Sequence, residues 1–357
     1  MFYNDFILER TSKMTWTKRR TFFALGTVAL LAALALLPRL FSGDYVYVAG
    51  HYTPASDADR SVALIWVNGT PETLSGTSGR DAAAKSIFVS GGDVYVAGQI
   101  LGDKTPNAAF VWKNGIPLRI DADSGNSIAR SIYVSGTDVY AAGQIFLQGK
   151  QYATIWKNGE AKHLNNGDND AYAWSVFVSG NDVYVAGAEI MEQSVAMLWK
   201  NGSPQPLGDG SKYAIATSVF VLGDDVYVAG QQVNPQHKSI AVLWKNGAMQ
   251  PLNDGNYDAL ANSVFVSGTD VYVAGWEENE QGTYVATLWK NGVSQQLADG
   301  SSQSSAESVF VSGRNVYVVG MDHSQAKFTA RLWKNGKLQP LNLEPGTGYA
   351  YSVFVEK

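Results

Sequence analysis

The 357-residue chain contains no cysteine and four histidines. Without cysteine there is no disulfide, no thiolate metal site, no cysteine nucleophile and no lipidated cysteine anchor. The absence does not by itself fix a compartment. Between Asp44 and Lys357 no segment carries apolar residues at helical spacing, which points to an all-β region. A basic stripe is missing as well. The first 43 residues hold six Lys/Arg and two Asp/Glu, whereas the whole chain is at −5, so the remainder carries −9. An acidic region of this kind is a poor partner for nucleic acid.

What is present is repetition. Ser175-Val176-Phe177-Val178-Ser179-Gly180-Asn181-Asp182-Val183-Tyr184-Val185-Ala186-Gly187 recurs nearly unchanged, followed each time by a piece like Leu198-Trp199-Lys200-Asn201-Gly202. The first piece starts at Ser86, Ser131, Ser175, Ser218, Ser263, Ser308 and Ser352, a period of 43 to 45 residues. The repeat tryptophans are Trp66, Trp112, Trp156, Trp199, Trp244, Trp289 and Trp333. The first copy lacks its S-V-F-V piece, and the last such piece, Ser352 to Val355, has nothing after it. The missing start stands at the end, as in a closed ring of one supersecondary unit per repeat.

Each unit reads as four strands. Two runs rich in Val, Phe and Tyr are apolar on both faces and must be covered on both. A third ends at Asn-Gly, the strongest short hairpin signal. The fourth is polar and proline-containing, as in Pro204-Gln205-Pro206, which suits an exposed sheet edge. The first strand is therefore innermost and the fourth outermost. Residues 44–357 are expected to form a seven-bladed β-propeller of four-stranded antiparallel blades, closed by pairing of the C-terminal strand with the N-terminal blade. Such a ring needs no separate end caps, unlike a solenoid. The repeats resemble those of bacterial secreted seven-bladed propellers with tandem SVFVSGxDVYVAG…LWKNG units, an uncharacterised family. The resemblance covers residues 45 to 355 and implies a fold without an activity.

Residues 1–43 form an N-terminal export signal or signal anchor. Lys18-Arg19-Arg20 precede an apolar run from Phe22 to Leu37, short for a spanning helix and slightly long for a secretory core. Arg19-Arg20-Thr21-Phe22-Phe23 resembles a twin-arginine signal, with Lys18 where serine or threonine is usual. Either way the repeats are expected outside the cytoplasm: periplasmic, on the cell surface or secreted. Contact with a membrane would come only through residues 22–37 if the segment is retained.

Function requires asymmetry, so positions that differ between copies carry the candidates. The Ala-Gly loops and the inter-blade connections share one face, opposite the repetitive Ser-Gly-x-Asp and Asn-Gly turns, and variable loops on a rigid scaffold are where binding resides. Between a fixed Ala and a fixed Ser stand Lys85, Arg130, Trp174, Thr217, Asn262, Glu307 and Tyr351, expected to ring the channel mouth. After Ala-Gly stand His51, Gln99, Gln144, Ala188, Gln231, Trp276 and Met321. The candidate ligand-binding residues are Lys85, Arg130, Trp174, Asn262, Trp276, Glu307 and Tyr351, because aromatic faces beside polar groups suit a sugar or a peptide. His51, His237 and His323 come from blades one, five and seven, too scattered for a metal centre. The Asp121–Asn126 stretch lacks the bidentate acid of a calcium loop. No catalytic residue, metal or cofactor is expected. The expected function is that of a monomeric, non-catalytic binding or scaffolding propeller for a protein or carbohydrate ligand. The alternative is an exported enzyme with a metal or other cofactor at the channel mouth.

Overall fold

The computed structural model describes residues 43–357 except 78, 103–105, 122–125, 209, 325–326 and 344. Residues 1–42, which hold the expected export signal or anchor, and most of the Asp121–Asn126 loop lie outside the described residues. The described chain is all strand and turn, folded as seven four-stranded antiparallel sheets. Blades 2 to 7 each use consecutive strands, as in blade 4: Asp170–Ser179, Asp182–Ile190, Ser194–Lys200 and Ser203–Pro206, from axis to rim. Blade 1 is composite. Its three outer strands, Tyr45–Pro54, Val62–Val67 and Thr70–Thr73, take Gly346–Glu356 as their innermost partner. The register runs from Tyr45 opposite Glu356 to Ala49 opposite Ser352, the expected closure.

The core lies between blades rather than within any one. One cluster joins Ala186, Ala196 and Leu198 of blade 4 to Val219, Val228 and Trp244 of blade 5. An equivalent cluster across the closing seam joins Tyr317, Val319 and Leu332 to Val48, Trp66 and Val353. The seven repeat tryptophans are at most 2 % exposed. Each blade can thus bury its apolar faces only against a neighbour, which explains why no single repeat is a stable unit.

Two further rings tie the blades together at the axis. The hydroxyl of each repeat serine accepts the backbone N–H of the next blade's inner strand. The circuit runs Ser86 to Ile132, Ser131 to Val176, Ser175 to Val219, Ser218 to Val264, Ser263 to Val309, Ser308 to Val353 and Ser352 to Ile87, at 3.1–3.3 Å. Two residues farther along, Phe88, Tyr133, Phe177, Phe220, Phe265, Phe310 and Phe354 form a closed collar with neighbouring centroids 4.7–4.9 Å apart. Their interplanar angles are 49–52°, the rotation between blades of a sevenfold ring. Each ring plane therefore stands upright along the axis. At this spacing neighbouring rings are in contact, within the centroid range of packed aromatic pairs, and inclined to one another rather than stacked flat.

The Asn-Gly turns behave as their chemistry requires. Asn68, Asn114, Asn158, Asn201, Asn246, Asn291 and Asn335 all have φ of 49–55°, and the glycine after each is also left-handed, a type I′ hairpin. Each asparagine Oδ1 accepts the N–H of a second-strand valine, as Asn201 does from Val183 at 2.9 Å.

Candidate binding site at the channel mouth

The variable position between Ala and Ser is a β-bulge in every blade. Pairing of the inner strand with the second strand slips at Ala84/Ser86, Ala129/Ser131, Ala173/Ser175, Ala216/Ser218, Ala261/Ser263 and Ala306/Ser308, and in blade 1 opposite Ala49/Gly50. The residue skipped is Lys85, Arg130, Trp174, Thr217, Asn262, Glu307 or Tyr351. A bulge leaves its extra residue unpaired and re-aims the side chain. All seven sit three positions before the aromatic collar.

The bulge also explains the repeat glycine. A Cβ on Gly187 would come 1.9 Å from the Tyr172 carbonyl oxygen, and on Gly98, Gly143, Gly230, Gly275, Gly320 and Gly50 it would meet the equivalent oxygen at 1.9–2.0 Å. Glycine is needed here because the bulged strand's backbone approaches too closely for any side chain. This link between Ala-Gly and the variable position was present in the repeat, but it needs the register to be seen.

The seven side chains do different things. Thr217 and Asn262, on blades 5 and 6, turn to the next blade. Thr217 Oγ1 donates to the Ala261 carbonyl at 2.6 Å, and Asn262 Nδ2 to the Ala306 carbonyl at 3.0 Å. Their hydrogen bonds join scaffold to scaffold. The other five are grouped on blades 7, 1, 2, 3 and 4. Glu307 Oε1 accepts the Ser305 hydroxyl at 2.6 Å. The Lys85 ammonium stands 3.6 Å from the Tyr351 ring centroid, a close cation–π contact. Tyr351 and Tyr349 flank His51, with centroids 5.6 and 4.5 Å from the imidazole. Arg130 Nε donates to Gln144 at 3.0 Å. Trp174 stacks on Tyr172 with planes 12° apart. Trp276 is separate from this group, packed on Tyr284 of its own blade's third strand. His51 and Gln144 come from the second variable set. These two members therefore support bulge residues, a pairing the order along the chain conceals.

Electrostatically the arc is poised. These side chains are only half-buried by surface, yet protein surrounds them as it does any channel wall. Desolvation, with the positive charge of Arg130 second, brings the Lys85 amine down to about 8, despite the opposing pull of Glu307. Burial raises the Glu307 carboxyl, which Ser305 and Lys85 only partly offset. Burial also lowers Arg130 and, with Lys85 beside it, brings His51 down to about 4. His51 Nδ1 is buried without a hydrogen-bond partner. Among the described residues no three His, Asp or Glu converge as a metal site. His323 reaches the arc only through rings, His323 on Phe328 and Phe328 on Tyr349.

The opposite face is uniform. In blades 2 to 6 a lysine of the W-K-N-G piece pairs with the Ser-Gly-x-Asp aspartate at 2.7–2.8 Å, as Lys200 does with Asp182. The same lysine lies over the repeat tyrosine at 5.2–5.4 Å. At the seam the pattern is repaired. Blade 7 has Asn315 in place of the aspartate, and Asp44 of blade 1 supplies the carboxylate, accepting from Tyr317 at 2.6 Å and Asn315 at 3.1 Å.

The chain is thus a closed seven-bladed β-propeller. No family model matches it, and no curated protein does. Solved structures match in fold. A structure of puromycin hydrolase aligns with TM-score 0.58 and 11% identity over 90% of this chain and 55% of that one. A mutant of that enzyme complexed with PGG gives 0.56 and 11% over 85% and 53%. The chain spans about half the length of those two. The β-propeller domain of the Trilobed protease from Pyrococcus furiosus aligns with TM-score 0.55 and 13% identity over 85% of this chain and 93% of that one. That domain is described as having an open velcro topology, whereas here the last strand closes the first blade. At such identities the likeness concerns the fold alone.

Proposed function

We propose that this protein is an extracytoplasmic, non-catalytic binding or scaffolding propeller that takes a protein or glycan ligand at the channel mouth. The observation that carries the reading is the bulge ring. Seven identical backbone devices carry seven different side chains, five of them grouped on blades 7, 1, 2, 3 and 4, and bulges that re-aim side chains are enriched beside functional sites. The scaffold around them is otherwise repeated. Placement outside the cytoplasm is supported by the Arg19-Arg20 signal and the apolar run after it.

The reading is tested by screening the full-length chain against glycan and protein arrays, then repeating any hit with Trp174→Ala. Loss of the hit supports the mouth as the site. If Trp174→Ala binds normally while Lys200→Glu on the opposite face abolishes binding, the wrong face has been assigned. Export is tested by changing Arg19 and Arg20 together to lysine in a reporter fusion. A twin-arginine route reads arginine rather than charge and should fail, while undiminished export would remove that route.

A further inference from the structure

The bulge ring is chemically lopsided, and the imbalance suggests what the ligand carries. Blades 2 and 3 contribute adjacent cations, Lys85 and Arg130, and the positive charge of one is felt by the other. Like charges in a desolvated wall repel and cost free energy unless something compensates them. Lys85 is held by the Tyr351 ring, which is a face and not a charge. Arg130 has Gln144 on Nε, a neutral acceptor, and the nearby Tyr172 phenol, whose acidity burial weakens further, carries no charge at neutral pH. The one carboxyl near Lys85 is Glu307, and it is engaged with Ser305. Two cations therefore face one acid that burial drives toward neutrality. Beside them, on blade 4, Tyr172 and Trp174 present nearly parallel rings.

We infer that blades 2 to 4 form a subsite for an acidic sugar, with its carboxylate between Lys85 and Arg130 and a pyranose ring against Trp174. A guanidinium suits a carboxylate through paired N–H donors, and an aromatic face suits the C–H face of a sugar. Gln144 accepts from Nε, and among the described residues no hydrogen bond engages the terminal amino groups of Arg130, which can serve the ligand. Tyr351 holds Lys85 through its ring, His51 lies against Tyr351, and both are positioning residues. The inference rests on the mouth being the binding site, and it names the ligand class for that site.

The test uses the full-length chain and an array of uronate-, sialate- and neutral oligosaccharides. It is followed by titration with the tightest acidic glycan and its carboxyl methyl ester, which keeps the sugar skeleton and removes the charge. The acid should bind at least about tenfold more tightly than the ester, and Arg130→Gln should weaken the acid by about ten- to a hundredfold, as for a lost charge-assisted hydrogen bond. Lys245→Met, which removes the same charge from the opposite face, should leave affinity within about twofold. To separate an effect on the fold, the melting curve of Arg130→Gln and its affinity for the ester are measured alongside; both should be unchanged. Equal binding of acid and ester, or capture of neutral glycans or acidic peptides alone, overturns the acidic-sugar inference while leaving a mouth that binds. Binding that is insensitive to every mouth substitution, or no capture of any glycan, overturns it too; the former also removes the mouth as the site.

Discussion

The two ends of the propeller obey opposite rules. At the turn face, blades 2 to 6 repeat one network of Lys, Asp, Asn and Tyr, with distances that agree to about a tenth of an ångström. Where blade 7 loses its aspartate, Asp44 restores the carboxylate from across the seam. At the bulge ring the backbone is as regular as the turns, yet no two of the seven side chains are alike. One end retains side chains because they hold hairpins in register. The other repeats only the backbone device, and its side chain differs from blade to blade.

The largest expected break in this contrast is removal of residues 351–357. It takes away residues 351–356 of the inner strand of blade 1, the collar ring of Phe354 and the serine link from Ser352 to Ile87. The truncated chain should lose its cooperative melting transition or become insoluble, since the inner edge of Tyr45–Ala49 is then left unpaired. An unchanged melting curve would remove the closed ring as the source of stability.

A repeat tryptophan comes next. Trp199→Ala empties a fully buried inter-blade site and should cost about 3–5 kcal/mol in urea unfolding. Gly187→Ala tests the bulge itself. The new methyl would lie 1.9 Å from the Tyr172 carbonyl oxygen and 2.8 Å from the Trp199 ring, so a loss of about 1–3 kcal/mol is expected, as for overpacking. A neutral result would show that the inner strand can be shifted at little cost.

Lys85→Met should change stability in the opposite direction. The folded protein loses the Lys85 proton at about 8, against an ordinary 10.5. Between those values the unfolded chain binds more protons, so stability rises with pH across that window, and the full cost of burying the charge is felt below it. Lys85→Met should therefore be more stable near pH 7, by about 1 kcal/mol after discounting for water in the channel and the lost Tyr351 contact. The advantage should fade toward pH 10.5. If Lys85→Met melts lower than the parent at pH 7, the lysine is a structural element rather than one retained at a stability cost for binding.

The smallest effect is expected at Trp174. It is half-buried and stacked on Tyr172 alone among aromatic neighbours, so Trp174→Ala should alter stability by about 0.5 kcal/mol or less while removing binding. A tryptophan of each kind, Trp199 and Trp174, thus separates scaffold from site in one pair of denaturation curves.

Much of this was legible along the chain because each repeat repeats its physics. Seven periods with complementary ends announce closure, and Asn-Gly announces the hairpin, since its two positive φ values need those residues. The variable position was legible as variation between fixed neighbours. That it is a bulge was not, because a bulge is a relation between two strands and leaves no mark on one. The serine circuit and the collar were hidden for the same reason. Ser175 and Phe177 look like ordinary strand residues until the next blade's Val219 N–H and Phe220 ring are beside them.

Local chemistry, read residue by residue, determined the strands, their order from axis to rim, the turns and the number of blades. Those follow from backbone preference and from which faces are apolar, and both are properties of short segments. The grouping of Lys85, Arg130 and Trp174 on consecutive blades, the commitment of Asn262 and Thr217 to a neighbouring blade's backbone and the placement of Trp276 on Tyr284 were decided only by tertiary structure. Residues some 45 positions apart become neighbours because successive blades pack side by side, and burial then sets the charge balance that no single repeat contains.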